Sequence, residues 1–130
     1  MNMRTTATIE KTPDGHYSCL VDDYKLGIAG YGDSAEEAKN DMLECYEEMK
    51  EIMSEEGKTM PELEFVYHYD IQSFFNYFSF LNKSEIARKA GINESQMRRY
   101  ASGATASEAQ YDKLRNTIRE ITEEMAVAVF

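Results

Sequence analysis

The stretch Asn82–Gly103, NKSEIARKAGINESQMRRYASG, constrains the fold of this chain more than any other. Asn82 and Glu85 have the spacing of a capping box, in which two side chains satisfy backbone N–H groups left open at a helix start. The helix that follows carries Ile86, Ala87 and Ala90 on one face. Gly91 ends it, because glycine accepts the left-handed conformation common at a helix C-terminus. Ile92 follows as an apolar plug, and Asn93 with Gln96 repeats the box. The second helix turns Met97 and Tyr100 inward and shows Glu94, Ser95, Gln96, Arg98, Arg99 and Ser102 outward, ending at Gly103. Two capped helices closed around Ala87, Gly91 and Ile92 are the pattern of a helix-turn-helix, whose second helix enters the DNA major groove. Arg98 and Arg99 offer planar forks to guanine edges or phosphates. The competing reading of the same spacing is an ordinary helical hairpin with solvated arginines.

Charge divides the chain in two. Residues 1–69 hold 6 basic and 16 acidic side chains, a net of −10, whereas residues 70–130 hold 8 of each. Five basic residues fall within 82–103 (Lys83, Arg88, Lys89, Arg98, Arg99) against Glu85 and Glu94. An acidic half beside a locally basic half predicts two modules with different partners. The length of 130 residues accommodates one ordinary domain or two small ones, and 42% apolar residues with nine tyrosines predict a folded chain. Cys19 and Cys45 sit in apolar patterns, which points to buried reduced thiols rather than a disulfide. No export signal and no apolar run near 18 residues is present, so a cytoplasmic protein with no membrane segment is expected.

The acidic half reads as three strands, a helix and a strand. Residues 3–10 favour an extended strand. Thr12-Pro13-Asp14-Gly15 is a turn in which proline presets φ and glycine takes the positive one. Tyr17–Asp22 returns as a strand, and Leu26–Tyr31 is a third, after a polar link at Asp23–Lys25. Ser34 and Glu37 form a further capping box. The helix after it runs to about Glu56, with Ala38, Met42, Cys45, Met49 and Ile52 as its apolar stripe and Leu43, Tyr46 and Met53 widening it. Gly57 ends it. Leu63, Phe65, Tyr67 and Tyr69 then alternate as the firmly buried face of a strand, with His68 on the other face. One amphipathic helix covering a small sheet makes this half a β-β-β-α-β unit, and the chain as a whole α+β.

From Asp70 the second module is expected to be all-α. Ile71, Phe74, Phe75, Phe78 and Leu81 have the helical spacing of an element that backs the helix-turn-helix. Ser107 with Gln110 caps a last helix carrying Tyr111, Leu114, Ile118, Ile121 and Met125, and the chain closes on the apolar tail Ala126-Val127-Ala128-Val129-Phe130.

IARKAGINESQMRRYASG resembles the helix-turn-helix of lambda-repressor-like (Xre-type) DNA-binding domains. That resemblance implies base contacts from Glu94, Ser95, Gln96, Arg98 and Arg99 and a phosphate grip at Lys83. Glu94 stands where such domains often carry glutamine, and its carboxylate can accept from cytosine N4. The order of the first half, with GYGDSAEEA at 30–38 leading into the long helix, resembles the HicB antitoxin family. Where that family often shows Pro-Gly-Cys, this chain reads Asp23-Tyr24-Lys25-Leu26-Gly27. The resemblance implies a truncated RNase H-like domain at 1–69 that neutralises a small basic HicA-type ribonuclease toxin. It also implies a DNA-binding domain at 70–130 that represses the operon from double-stranded operator DNA.

An enzyme is not expected. Glu10, Asp22, Asp23 and Glu64 are scattered over strand edges and opposite faces, whereas two-metal nuclease chemistry needs converging carboxylates. No metal, cofactor or catalytic residue is assigned. The alternative function is a transcription regulator whose first domain senses a small ligand or only mediates oligomerisation. Under either reading a homodimer or larger even oligomer is expected, held by an exposed sheet edge or by the apolar tail.

Overall fold

The structure, a computed structural model, describes residues 2–23 and 26–128, so Met1, Tyr24, Lys25, Val129 and Phe130 lie outside the described residues. Tyr24 and Lys25 belong to the expected polar link, and Val129 and Phe130 end the apolar tail. The chain is α+β and divides into two compact units, Met1–His68 and Tyr69–Phe130, one residue earlier than the 69/70 boundary read from the sequence.

The first unit opens with β1 (Asn2–Lys11) and β2 (Tyr17–Val21), an antiparallel pair in the register Ala7↔Val21 to Lys11↔Tyr17. The turn between them closes as its residues require: Gly15 has φ +92° and donates its N–H to Thr12 O at 3.0 Å. β3 (Ala29–Gly32) pairs with β2. It begins three residues later than the alternation of Leu26–Tyr31 suggests. Leu26 lies in a turn, its N–H bonded to Asp23 O at 3.0 Å, and Gly27 takes φ +66°, which breaks an extended run.

α1 (Ala35–Glu55) covers this sheet, and β4 (Glu62–Asp70) follows; the strand order within the unit is β3-β2-β1-β4. Ser34 caps α1 by accepting from Glu37 N at 3.1 Å, while Glu37 Oε2 reaches back to Asp33 N–H at 2.7 Å instead of closing a box on Ser34. Gly30 lets the helix sit down: a Cβ there would fall 2.2 Å from Met42 N and 2.3 Å from Ala38 O. The core beneath includes Ala7, Ile9, Cys19, Val21, Ala38, Met42 and Tyr46.

The stripe of α1 is corrected in its second half. Tyr46 is buried, its hydroxyl donating to Pro61 O at 3.0 Å and accepting Leu63 N–H at 2.9 Å, whereas Ile52 is 54% exposed. A helix of 21 residues rises ~31 Å, and strands of five and four residues span only ~13–17 Å. The helix therefore outruns those two strands, although β1 and β4, of ten and nine residues, are about as long as it is. The expected buried face of β4 is only half-buried at Leu63, Phe65 and Tyr67. One helix supplies its cover: Tyr46 meets Phe65 edge-on at 5.4 Å, and Lys39 Nζ lies 4.0 Å over the Tyr67 ring.

The second unit contains α2 (Ile71–Tyr77), α3 (Lys83–Ala90), α4 (Glu94–Ala101), β5 (Thr105–Ala106) and α5 (Glu108–Ala126). It is not all-α as expected. Tyr69 and Asp70 at the end of β4 pair antiparallel with Ala106 and Thr105. The two residues of β5, Thr105 and Ala106, are too few for a periodic signal. Stacking of Tyr69 on Tyr111, centroids 3.7 Å apart, fixes the same corner. Ile71, Phe75, Ile86, Ala87, Ile92, Met97, Tyr100, Ala106 and Leu114 form the core. α2 ends before Phe78 and Leu81, so these two of its expected residues belong to the loop after it. Met125, expected inside, is 66% exposed.

Candidate nucleic-acid interface

α3 starts on Asn82, whose Oδ1 accepts Glu85 N–H at 3.1 Å. The return bond of the capping box is not made, because Glu85 Oε1 turns to Arg88 at 2.6 Å. At its other end Gly91 has φ +71°, Ile92 N–H reaches back to Ala87 O at 2.9 Å, and Gly91 N–H to Arg88 O at 3.3 Å. This pair of bonds is a Schellman ending, with buried Ile92 and Ala87 as its apolar contact. α4 ends by the same device: Gly103 has φ +111°, its N–H bonds Tyr100 O at 3.1 Å, and Ala104 N–H bonds Arg99 O at 3.0 Å. Two helices of eight residues are thus closed by local hydrogen bonding and clamped by Ala87, Ile92, Met97 and Tyr100.

On α4, Ser95, Arg98, Arg99 and Ser102 form one exposed stripe at helical spacing, opposite buried Met97 and Tyr100. Not all the expected contact residues are equally available. Asn93 Oδ1 accepts from Ser95 N at 2.8 Å and from the Ser95 hydroxyl, so that hydroxyl serves the cap. The expected Asn93–Gln96 box is absent for that reason; half-buried Gln96 instead takes a long 3.4 Å bond from Arg99 Nη1. Glu94 lies 3.5 Å from Arg88 Nη2. Lys83 and Arg98 form no ion pair among the described residues. Lys83 is the first residue of α3 and lies ~12 Å along that helix from the turn at Gly91.

The residue that sequence reasoning counted but did not place is Arg88. It brackets Glu85 on its own helix and Glu94 across the turn, so one of the five basic side chains is used within the motif. The three-residue spacing of Glu85 and Arg88 is the signal for half of that bracket. Its second half depends on the turn geometry.

The first unit brings together residues distant in sequence. His16 Nδ1 lies 2.7 Å from Asp33 Oδ1, in an open cleft of about 650 Å³ lined by Thr12, Pro13, Asp14, His16 and Tyr31–Asp33. Tyr31, 62% exposed, also borders a second cleft lined by Glu37, Asp41 and Glu44. β3 is an edge strand, and Asp41 Oδ2 covers its outward Tyr31 N–H at 2.9 Å. Among the described residues no three of His, Cys, Asp and Glu converge as a metal site, and no helix is long and apolar enough to cross a membrane. Both cysteines are free; Cys19 is buried, and burial pushes its thiol up to about 11, while Cys45 is only half-buried. Compared with known proteins, the chain matches no family model, no curated protein and no solved structure.

Proposed function

We propose that this chain is an antitoxin-type repressor of the kind its two sequence resemblances imply. The second unit binds double-stranded operator DNA through α4, and the first captures a small basic ribonuclease of the HicA type. It acts as a homodimer or larger even oligomer, with no catalysis of its own. The observation that carries this reading is the α3–Gly91–α4 unit. It is clamped from behind by four buried side chains, ended twice by left-handed glycines, and open in front along Ser95, Arg98, Arg99 and Ser102. A rigid helix pair with an exposed guanidinium stripe has the geometry a major groove accepts. The net −10 of residues 1–69 supports a cationic partner for the first unit.

The test has two arms. The full chain is titrated onto DNA from upstream of its own reading frame and onto scrambled DNA of equal length. The product of any adjacent short basic reading frame is assayed as a ribonuclease with and without the chain. Selective binding in the first arm and inhibition in the second are expected. Selective DNA binding without inhibition would leave a transcription regulator whose first domain senses a ligand or only assembles subunits. Equal affinity for both DNAs would remove the operator reading.

A further inference from the structure

The second unit carries an apolar groove of about 450 Å³ that its own core does not fill, lined by Phe74, Phe78, Phe80, Ile118, Ile121 and Met125 among others. Its most exposed residues are large. Phe80 is 81% exposed and Met125 66%; Val127, two residues beyond Met125 and outside the groove lining, is 80% exposed. Phe80 is held there: Leu81 N–H bonds Phe78 O at 3.1 Å, closing a turn that points residue 80 outward, and its ring meets Phe78 edge-on at 6.2 Å. On α5 the stripe of buried Leu114 and half-buried Ile118 and Ile121 continues past the core to Met125. Apolar patches built this way on a water-soluble surface mark a contact with another molecule.

Projecting side chains and groove belong to one surface, which is the requirement of a two-fold interface, where each contact is made twice. The rim charges fit the same symmetry. Lys89 on α3 and Glu124 on α5 both line the groove, both are exposed, and neither has an ion-pair partner among the described residues. The alternative surface for self-association, edge strand β3, already has its Tyr31 N–H covered by Asp41.

We propose that two copies of this chain pair about a two-fold axis through this groove. Phe80 and the end of α5 of each fill the groove of the other, and Lys89 of one meets Glu124 of the other. The inference rests on the self-association in the reading above and names its surface. It does not require α4 to touch DNA.

The experiment is sedimentation equilibrium of the full chain at micromolar concentration without DNA. Wild type should sediment at twice the 15.0 kDa of one chain. Phe80→Glu should raise the dissociation constant of the pair about thirtyfold or more, as loss of a central aromatic anchor does. Its helical circular dichroism should stay unchanged, since residue 80 lies outside the core. Lys89→Glu and Glu124→Lys should each weaken the pair about threefold to tenfold, and the double reversal should restore it. A monomeric wild type would overturn both the self-association and this surface. A Phe80→Glu protein as dimeric as wild type, or a double reversal as weak as the singles, would overturn the surface alone.

Discussion

At the scale of single residues, the exposed cations of the helix pair differ in what already holds them. Arg99 is steered by Gln96, Arg88 is bracketed by two glutamates, and Lys83, the first residue of α3, has no ion-pair partner among the described residues. Phosphate contacts position a protein on DNA, and base contacts specify the sequence. Arg99→Ala should therefore lose ~1–3 kcal/mol on the cognate operator and flatten preference at one base pair. Lys83→Ala should weaken all DNA about equally and reduce the salt slope by about one phosphate. Binding of both variants to operator and scrambled DNA over a salt series separates the two roles, and an Arg99→Ala loss that is equal on both DNAs would remove α4 from the major groove. Cys19 supplies a pH prediction. Burial raises its thiol from 9.0 to about 11 in the fold, so its contribution to stability is complete below about 9 and is lost as pH rises toward 11. Denaturant melts should show a decline over that window that Cys19→Ala lacks. At pH 8 a thiol reagent should label half-buried Cys45 well before Cys19.

At the scale of elements, two glycines do different work. Gly91 has open space where a Cβ would lie, but its φ of +71° is strained for any L side chain. Gly91→Ala should destabilise the second unit by ~1–2 kcal/mol through backbone strain alone. Gly30 has no positive φ; its restriction is the backbone of α1, 2.2 Å from a would-be Cβ. Gly30→Ala must push α1 off the sheet and should be the more damaging of the two. Thermal melts of both variants check the order, and a Gly30→Ala protein as stable as wild type would mean that α1 sits farther from β3. The half-made capping boxes belong here as well. Ser34, Asn82 and Asn93 each cap their helix with one side-chain bond, while Glu37, Glu85 and Gln96 turn to other partners.

At the scale of the whole molecule, charge is the organising quantity. All of the net −10 lies in residues 1–69. A field of one sign over one unit accelerates encounter with a cation of matching size and is screened beyond ~8–10 Å at ordinary salt. Capture of a basic partner by the full chain should therefore slow steeply as salt rises, chiefly in the association rate, with dissociation changing less. Stopped-flow binding at two ionic strengths reads this directly, and an association rate that ignores salt would detach the acidic charge from partner capture.

The sequence by itself determined the features that rest on local physics. Helix starts at Ser34, Asn82, Asn93 and Ser107, the glycine ends at Gly57, Gly91 and Gly103, and the turn at Thr12–Gly15 follow from side chains and φ preferences within four or five residues. The outward stripe of Arg98 and Arg99 follows from the 3.6-residue period alone. Tertiary structure decided what depends on the size and shape of the neighbour. Ile52 and Tyr46 lie on the same apolar pattern, yet only Tyr46 is covered, because the chain entering β4 at Pro61 and Leu63 closes over it. β5 exists only because the end of β4 offers it a partner, and His16 meets Asp33 only because β2 and β3 pair. Phe80 and Met125 have the composition of core residues but are left uncovered by their own chain, since the core of the second unit closes at Phe75, Ile86 and Leu114 before reaching them. Periodicity states which side chains could be covered; the supply of covering surface is a property of the assembled fold.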